Sequence, residues 1–240
     1  MVPARSGSKS IQDKNLQKVR GHSLIAWAVT VATSISEAST FIDTDSPEYA
    51  AEATMYGAVV PFLRRPELAG DTTSDTESFA EFANRMALDD DTAIVHLRPT
   101  TPLRNQNVVR KALEQFQSNA SSRFSLRSLH EMPESAYKCF EVDPNGLIHS
   151  LRGLVGSTEQ ANQPRQSFPT TYIANGYIDI FKASNLQKFQ SIHGPEIQSF
   201  ITETAVEVDS LHELEVLRLL AESNEFDPLV HQMDRKVANV

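Results

Sequence analysis

One cysteine, Cys139, stands alone in 240 residues. No intrachain disulfide and no cysteine-ligated zinc cluster can form from it. No stretch approaches the roughly 18 consecutive apolar residues of a membrane span. The opening MVPARSGSKS lacks the apolar core of a secretory leader. Cationic clusters are missing as well: 22 Lys and Arg face 31 Asp and Glu, the formal net charge is −9, and no basic run exceeds two residues. A nucleic-acid binder needs a basic stripe, so that class is disfavoured. The phosphate-loop pattern G-x-x-x-x-G-K-[ST] is absent, and His212-Glu213 lacks the second histidine of a zinc-peptidase helix. Internal repeats and low-complexity tracts are absent too. Together these absences point to a cytoplasmic protein that meets neither membrane nor nucleic acid.

What remains is the composition of an ordinary globular chain, 40% apolar and 22% charged. Its length suits a single domain, residues 1–240, with room for an insertion. Thr40–Thr44 reads as a short strand, then Ser46 caps a helix over Pro47–Tyr56 that Gly57 ends. Ala58–Leu63 is extended again. Phe79, Phe82, Ala83 and Met86 recur at helical spacing and predict a helix over Ser74–Leu88. Thr92–Leu97 reads as a buried strand, and Asn105 caps a helix whose inner face is Val109, Ala112, Leu113 and Phe116. Repeated strand–helix–strand units predict an α/β fold with a mainly parallel sheet and helices on both faces. Between Ser125 and Pro169 the pattern weakens into an irregular excursion or arm, with a strand-like piece at Tyr137–Val142. Tyr177–Lys182 and Ala205–Asp209 read as strands. A closing helix spans Ser210–Ala221, with Leu211, Leu214, Leu217 and Ala221 inward. Trp27, within the apolar Leu24–Val31, reads as core, and Asp89-Asp90-Asp91 as a solvated helix end.

Four constellations can carry chemistry. Arg5-Ser6-Gly7-Ser8-Lys9, with Lys14-Asn15 behind, combines small residues whose amides can cradle phosphate with two cations a triphosphate needs; the alternative is a flexible polar terminus. Glu207 and Asp209 alternate along an extended segment, about 6.6 Å apart. At that spacing both reach one hard cation such as Mg²⁺; alternatively Glu207 faces solvent and Asp209 caps the closing helix. Arg98-Pro99-Thr100-Thr101-Pro102-Leu103-Arg104 follows a strand, and alone it reads as a rigid turn. Arg165-Gln166 with Asn175-Gly176 is a weaker pair of loop signals.

Taken in order, these motifs resemble the acylneuraminate cytidylyltransferases, the CMP-sialic acid synthetases and their bacterial CMP-nonulosonic acid synthetase relatives. PARSGSKSIQDKNL (Pro3–Leu16) is similar to that family's PARSGSKGIPGKN. The resemblance continues through PFLRRPELAGDTTS (Pro61–Ser74), LRPTTPLR (Leu97–Arg104), PRQSFPTTYIANGYI (Pro164–Ile178) and VEVDSLHELE (Val206–Glu215). It implies a Rossmann-like fold of the nucleotide-diphospho-sugar transferase kind. It also implies a dimerisation arm, to which residues 125–169 correspond, and hence a homodimer. Arg5, Ser8 and Lys9 then hold CTP phosphates, while Asn15, Arg64 and Ser74 place the nucleotide beside a loop at Ala69–Thr73. Asp209, joined by Glu207, holds Mg²⁺. Arg98, Lys138, Arg165, Gln166 and Asn175 serve the acceptor sugar, some of them across the dimer.

The implied reaction is attack by the sugar's anomeric hydroxyl on the α-phosphorus of CTP, with Arg5, Lys9 and Asp209 as the catalytic group. Asp209 or a water on the metal is the base. The acceptor is a sialic, legionaminic, pseudaminic or related acid. The alternatives are an eight-carbon acid such as Kdo, or an inactive nucleotide-binding homologue. The chain departs from the family pattern at Ser10 (for Gly), Arg98 (for Gln), Glu207 (for Asp) and Ile173 (for Arg), and few residues precede the PAR motif.

Overall fold

The computed structural model describes residues 1–118, 124–151 and 156–238. β1 (Val2–Pro3) is only two residues long. β2 (Lys18–Val19) and β3 (His22–Ser23) form a hairpin turned by Arg20 and Gly21, both at positive φ. The Ser23 hydroxyl then accepts from Ala26 N at 3.0 Å and starts α1 (Leu24–Ala32). All nine residues of α1 are buried, because it is apolar on every side. Trp27 lies in this core and its indole N–H donates to Val19 O at 3.0 Å.

β4 (Ile42–Asp43) leads through the Ser46 cap into α2 (Pro47–Met55). α3 (Asp75–Arg85) opens on a capping box in which Ser74 and Glu77 satisfy each other's backbone N–H groups. After β5 (Ala93–His96), Asn105 caps α4 (Gln106–Gln117), which buries the expected Val109, Ala112, Leu113 and Phe116. β6 (Phe124–Glu131) precedes a small hairpin of β7 (Phe140–Val142) and β8 (Ile148–Ser150). The long β9 (Tyr172–Lys182), α5 (Ala183–Lys188), β10 (Glu196–Ile201), α6 (Leu211–Leu220) and α7 (Asp227–Ala238) complete the chain.

Four strands pair in the order β10-β6-β9-β5. Met1 N donates to Val95 O at 2.7 Å and Leu97 N to Met1 O at 3.1 Å, the slanted pattern of parallel neighbours, so β1 continues the sheet beyond β5. β4 lies parallel on the other side of β1, and a parallel bridge from Phe41 to Val59 extends it. Within this sheet, among the described residues, only β9 runs antiparallel to its neighbours. Side chains alternate across this sheet. Ile178 and Ile180 join the main core with α1, α4, α6 and α7, while Phe181 meets Phe79, Ala83 and Leu186 from α3 and α5 in a second core. Helices therefore cover both faces, as the sequence pattern predicted. Among the described residues no helix is long and apolar enough to cross a membrane.

Several expectations need correcting. The irregular stretch does not begin at Ser125, because β6 is an inner strand paired to both β9 and β10. Its buried Ser125 and Ser128 hide the apolar signal. Their hydroxyls bond backbone instead, Ser125 donating to His193 O at 2.5 Å and Ser128 accepting from Ile178 N at 2.9 Å. The excursion runs from Met132, and its residues 152–155 lie outside the described residues. Within the expected strand Tyr137–Val142, Ala136–Lys138 is a 3₁₀ turn and only Phe140–Val142 pairs. Ala205–Asp209 belongs to no strand and is held at Val208 N by Thr100 O at 2.8 Å. Leu211, placed inward by periodicity, is 63% exposed at the first turn of α6.

Candidate active site

β1 is the point where the order of strand addition reverses, with β4 on one side and β5 on the other, all three parallel. Open α/β sheets bind ligands at the carboxyl ends of strands at such a point. A cleft of about 240 Å³ opens there. Its walls include Arg5, Ser8, Lys14 and Asn15 after β1; Arg64; Thr73, Ser74, Asp75 and Ser78 at the start of α3; His96 at the end of β5 with Arg98 and Thr100 after it; and Glu207.

The loop after β1 is pinned from both sides. Ser6 donates its N–H to Asp45 at 2.8 Å and its hydroxyl to the same carboxylate at 2.5 Å. Asn15 Nδ2 reaches Arg5 O at 3.2 Å. Ser10 does not adopt a positive φ, so the loop tolerates it where the family pattern has glycine. Arg5 and Lys9 both pair with Asp71, at 2.9 and 2.5 Å. Lys14 pairs with Asp209 at 2.9 Å. These pairs connect Lys9 and Asp209, which do not themselves line the cleft, to Arg5 and Lys14, which do.

Arg64 is buried against Asp43, whose carboxylate takes its Nη2 at 2.5 Å and also the Ser78 hydroxyl. The Arg64 Nε–H is buried without a partner beside the cleft. Such an orphan donor marks where a ligand acceptor atom is worth most.

Arg98 bridges Asp179 at 2.9 Å and Asp75 at 3.0 Å. Burial works against its charge, but the two carboxylates outweigh that and raise its pKa. Beside it, His96 is 1% exposed and neither ring nitrogen has a hydrogen-bond partner. Burial, and then the Arg98 charge, hold its pKa well below the ordinary histidine value, so the ring is neutral. The 3.9 Å approach of Asp179 is therefore no ion pair. Glu207 Oε1 accepts from the Thr100 hydroxyl at 3.1 Å. Gly176, at φ 64°, lets the chain pass close to Arg98 and Glu207.

Not every expected residue reaches this cleft. Asn175 turns inward, donating to the Thr202 hydroxyl at 2.7 Å and accepting from Tyr177 N at 3.2 Å, so its amide is committed to the fold. Arg165 and Gln166 line a separate hollow of about 450 Å³ with Glu131, Met132 and Phe168, and Arg165 pairs with Glu131 at 3.1 Å. Lys138 sits in the 3₁₀ turn of the arm and lines neither space. Asp71, at the edge of the cleft, falls within the Ala69–Thr73 loop expected beside the nucleotide, whereas Lys14, Asp75 and His96 line the site without having been given roles from sequence. Lys14 had a visible signal, one residue before Asn15; the others are brought in only by the fold.

A family model described as cytidylyltransferase matches residues 1–194. The chain belongs to the cytidylyltransferase family. It is thus a CTP-dependent nucleotidyltransferase. This cytidylyltransferase is 29% identical over 226 residues to the post-translational flagellin modification protein B of Campylobacter coli, covering 91% of the chain and 92% of that protein. It is 30% identical over 151 residues to the CMP-N,N'-diacetyllegionaminic acid synthase of Legionella pneumophila, covering 62% of the chain and 64% of that protein. The solved structure of CMP:2-keto-3-deoxy-manno-octonic acid synthetase complexed with CTP superposes with a TM-score of 0.66 at 19% identity, over 91% of this chain and 95% of that one. At that identity the likeness establishes the fold.

Proposed function

We propose that this cytidylyltransferase joins CMP from CTP to the anomeric hydroxyl of a nonulosonic acid, a sialic, legionaminic, pseudaminic or related acid, and releases pyrophosphate. One observation carries the reading. A chain of net charge −9 gathers Arg5, Lys9, Lys14 and Arg64 around a single cleft at the switch point of its sheet, and such a concentration of cations suits a triphosphate. The acceptor class is supported by the name of the Legionella relative and by the PRQ and NG motifs.

The anomeric oxygen attacks the α-phosphorus, the bond to the β-phosphate oxygen breaks, and the hydroxyl proton passes to a base, for which Asp209 is the protein's candidate. Arg5 and Lys9 stabilise the charge on the departing phosphates. Arg64, with its unpartnered Nε–H, meets an acceptor atom of the nucleotide. Holding two anions in line supplies much of the rate, since their repulsion is otherwise a barrier. Arg98 is tied to Asp75 and Asp179, so it shapes the floor of the sugar site rather than clamping the acceptor carboxylate.

Glu207 and Asp209 would hold Mg²⁺. The donor chemistry suits it: both are hard carboxylates, Glu207 lines the cleft, and substrate phosphates would supply further oxygen ligands. When bound, the ion neutralises phosphate charge.

The arm suits a homodimer. Phe140, Val142, Leu147 and Ile148 expose apolar surface on it, with Tyr172 and Ile173 exposed beside it at the start of β9, and pairing would bring Lys138, Arg165 and Gln166 toward a partner's sugar site. The supply of CTP fits a cytoplasmic reaction. The test is pyrophosphate release from CTP and Mg²⁺ across a panel of nonulosonic acids and Kdo. Release with one nonulosonic acid is expected. Silence across the panel, with CTP bound, overturns the reading, and turnover of Kdo alone assigns the eight-carbon alternative.

A further inference from the structure

The two cations assigned to the CTP phosphates are not free. Asp71 takes Arg5 Nη2 on one carboxylate oxygen at 2.9 Å and Lys9 Nζ on the other at 2.5 Å. Among the described residues no other ion pair engages its side chain, and these two hold its carboxyl below the usual aspartate range, through Lys9 first and Arg5 second. Asp71 sits at the tip of a short loop anchored at both ends. Before it, the 3₁₀ turn Pro66–Leu68 is closed by Ala69 N on Pro66 O at 3.1 Å; after it, Ser74 is locked into the capping box of α3. Thr73 and Ser74, two and three residues further on, already line the cleft.

A carboxylate bridging a guanidinium and an ammonium has the same donor demands as two oxygens of a phosphate. We propose that Asp71 is an internal stand-in for nucleotide phosphate: it holds Arg5 and Lys9 in the free protein, yields to the polyphosphate of CTP, and so selects ligands that carry several phosphates. The inference rests on the functional reading above and names a specificity residue within that site. The pairs are suited to release. Asp71 is 37% exposed and Lys9 84% exposed, and solvent screens such pairs to a small net value. A polyphosphate brings more charge and more acceptor oxygens to the same donors and displaces the carboxylate. A nucleoside without phosphate has nothing to exchange for it. The loop that carries Asp71 also leads into Ser74, so displacement couples phosphate arrival to the wall beside the base.

The test is calorimetric binding to the full chain in a metal chelator, with inorganic pyrophosphate, CTP and cytidine as separate probes. Asp71→Asn keeps the size of the side chain and removes its charge. It should tighten pyrophosphate and CTP by about three- to tenfold, the range expected from losing two competing exposed ion pairs, and leave cytidine unchanged. Asp71→Ala should shift the phosphate ligands in the same direction. Asp91→Asn removes a carboxylate paired with Lys182 at the opposite end of β5, and controls for net charge; it should change none of the three affinities. Unchanged or weaker pyrophosphate binding in Asp71→Asn overturns the proposal, as does an equal gain in Asp91→Asn. If the unaltered protein binds neither CTP nor pyrophosphate, in the chelator or with Mg²⁺ restored, the functional reading fails along with this one. If it binds both and Asp71→Asn is silent, only this inference fails.

Discussion

Gly176 lies where three parts of the site meet. A Cβ built there falls 3.0 Å from Thr101 Oγ1, 3.4 Å from Arg98 Cδ and 3.6 Å from Glu207 Oε1, on a backbone at φ 64°. Gly176→Ala therefore carries two costs. The left-handed backbone costs an L-residue about 1–2 kcal/mol. Crowding adds about 1 kcal/mol more, because Thr101 is buried and has little room to give. Gly21 separates the two costs. It sits at φ 82° in the β2–β3 turn with nothing within 4 Å of a built Cβ, so Gly21→Ala carries the backbone cost alone. Urea denaturation should show Gly176→Ala losing about 2–3 kcal/mol and Gly21→Ala about 1–2. Pyrophosphate release separates them more sharply. Displacing Thr101, which adjoins the Thr100 that holds Glu207, should lower kcat at least about tenfold in Gly176→Ala, since preorganised sites feel small misplacements. Gly21→Ala should turn over normally. If the two variants were equally stable and equally active, the close approach at Gly176 would carry no functional weight.

Three further outcomes follow from the same geometry. Asp209→Asn should reduce turnover by about a hundredfold or more while the melting temperature stays near that of the unaltered protein, because Asp209 is exposed and, among the described residues, pairs only with Lys14; near-normal turnover would remove it from the metal site. Arg104→Met should destabilise by about 3 kcal/mol or more, because Arg104 is fully buried and donates to the carbonyls of Arg98, Gly176 and Tyr177; a loss under about 1 kcal/mol in urea would contradict that accounting. His96 is neutral when folded and protonates near 6.5 when unfolded, so the stability it supports is present above that pH and falls as pH drops below it. In His96→Leu the loss of urea stability between pH 7 and 5 should shrink, by up to about 1.4 kcal/mol per pH unit; an unchanged acid limb would show that His96 does not drive it.

The parts of this molecule legible in the sequence are those whose physics is local. Ser46 before Pro47, Ser74 three residues before Glu77, and Asn105 before Val109 and Leu113 each announce a helix start, and each helix forms there. Five of the expected nucleotide residues, Arg5, Ser8, Asn15, Arg64 and Ser74, meet in one cleft, because their motifs follow neighbouring strands. What the sequence concealed depends on distant partners. Ser125 and Ser128 make β6 look polar until their hydroxyls find His193 O and Ile178 N. Asn175 looks like a ligand until Thr202 claims it. Arg98 looks free until Asp75 and Asp179 close on it from two other elements. A charge's availability is a property of the fold, and a motif shows only its presence.

The reversed strand has a consequence for how this chain is made. β9 fills the gap between β5 and β6, yet it leaves the ribosome long after β5. At about 5–20 residues per second, the stretch from His96 to Lys182 takes roughly 4–17 s to synthesise. Throughout that interval β1, β4 and β5 can already pair, but the outer edge of β5 has no neighbour. A nascent chain with an open edge beside Ile94 and Val95 invites pairing with another chain. Truncations ending between Gln117 and Tyr172 should therefore aggregate, and adding back β9 should cure them.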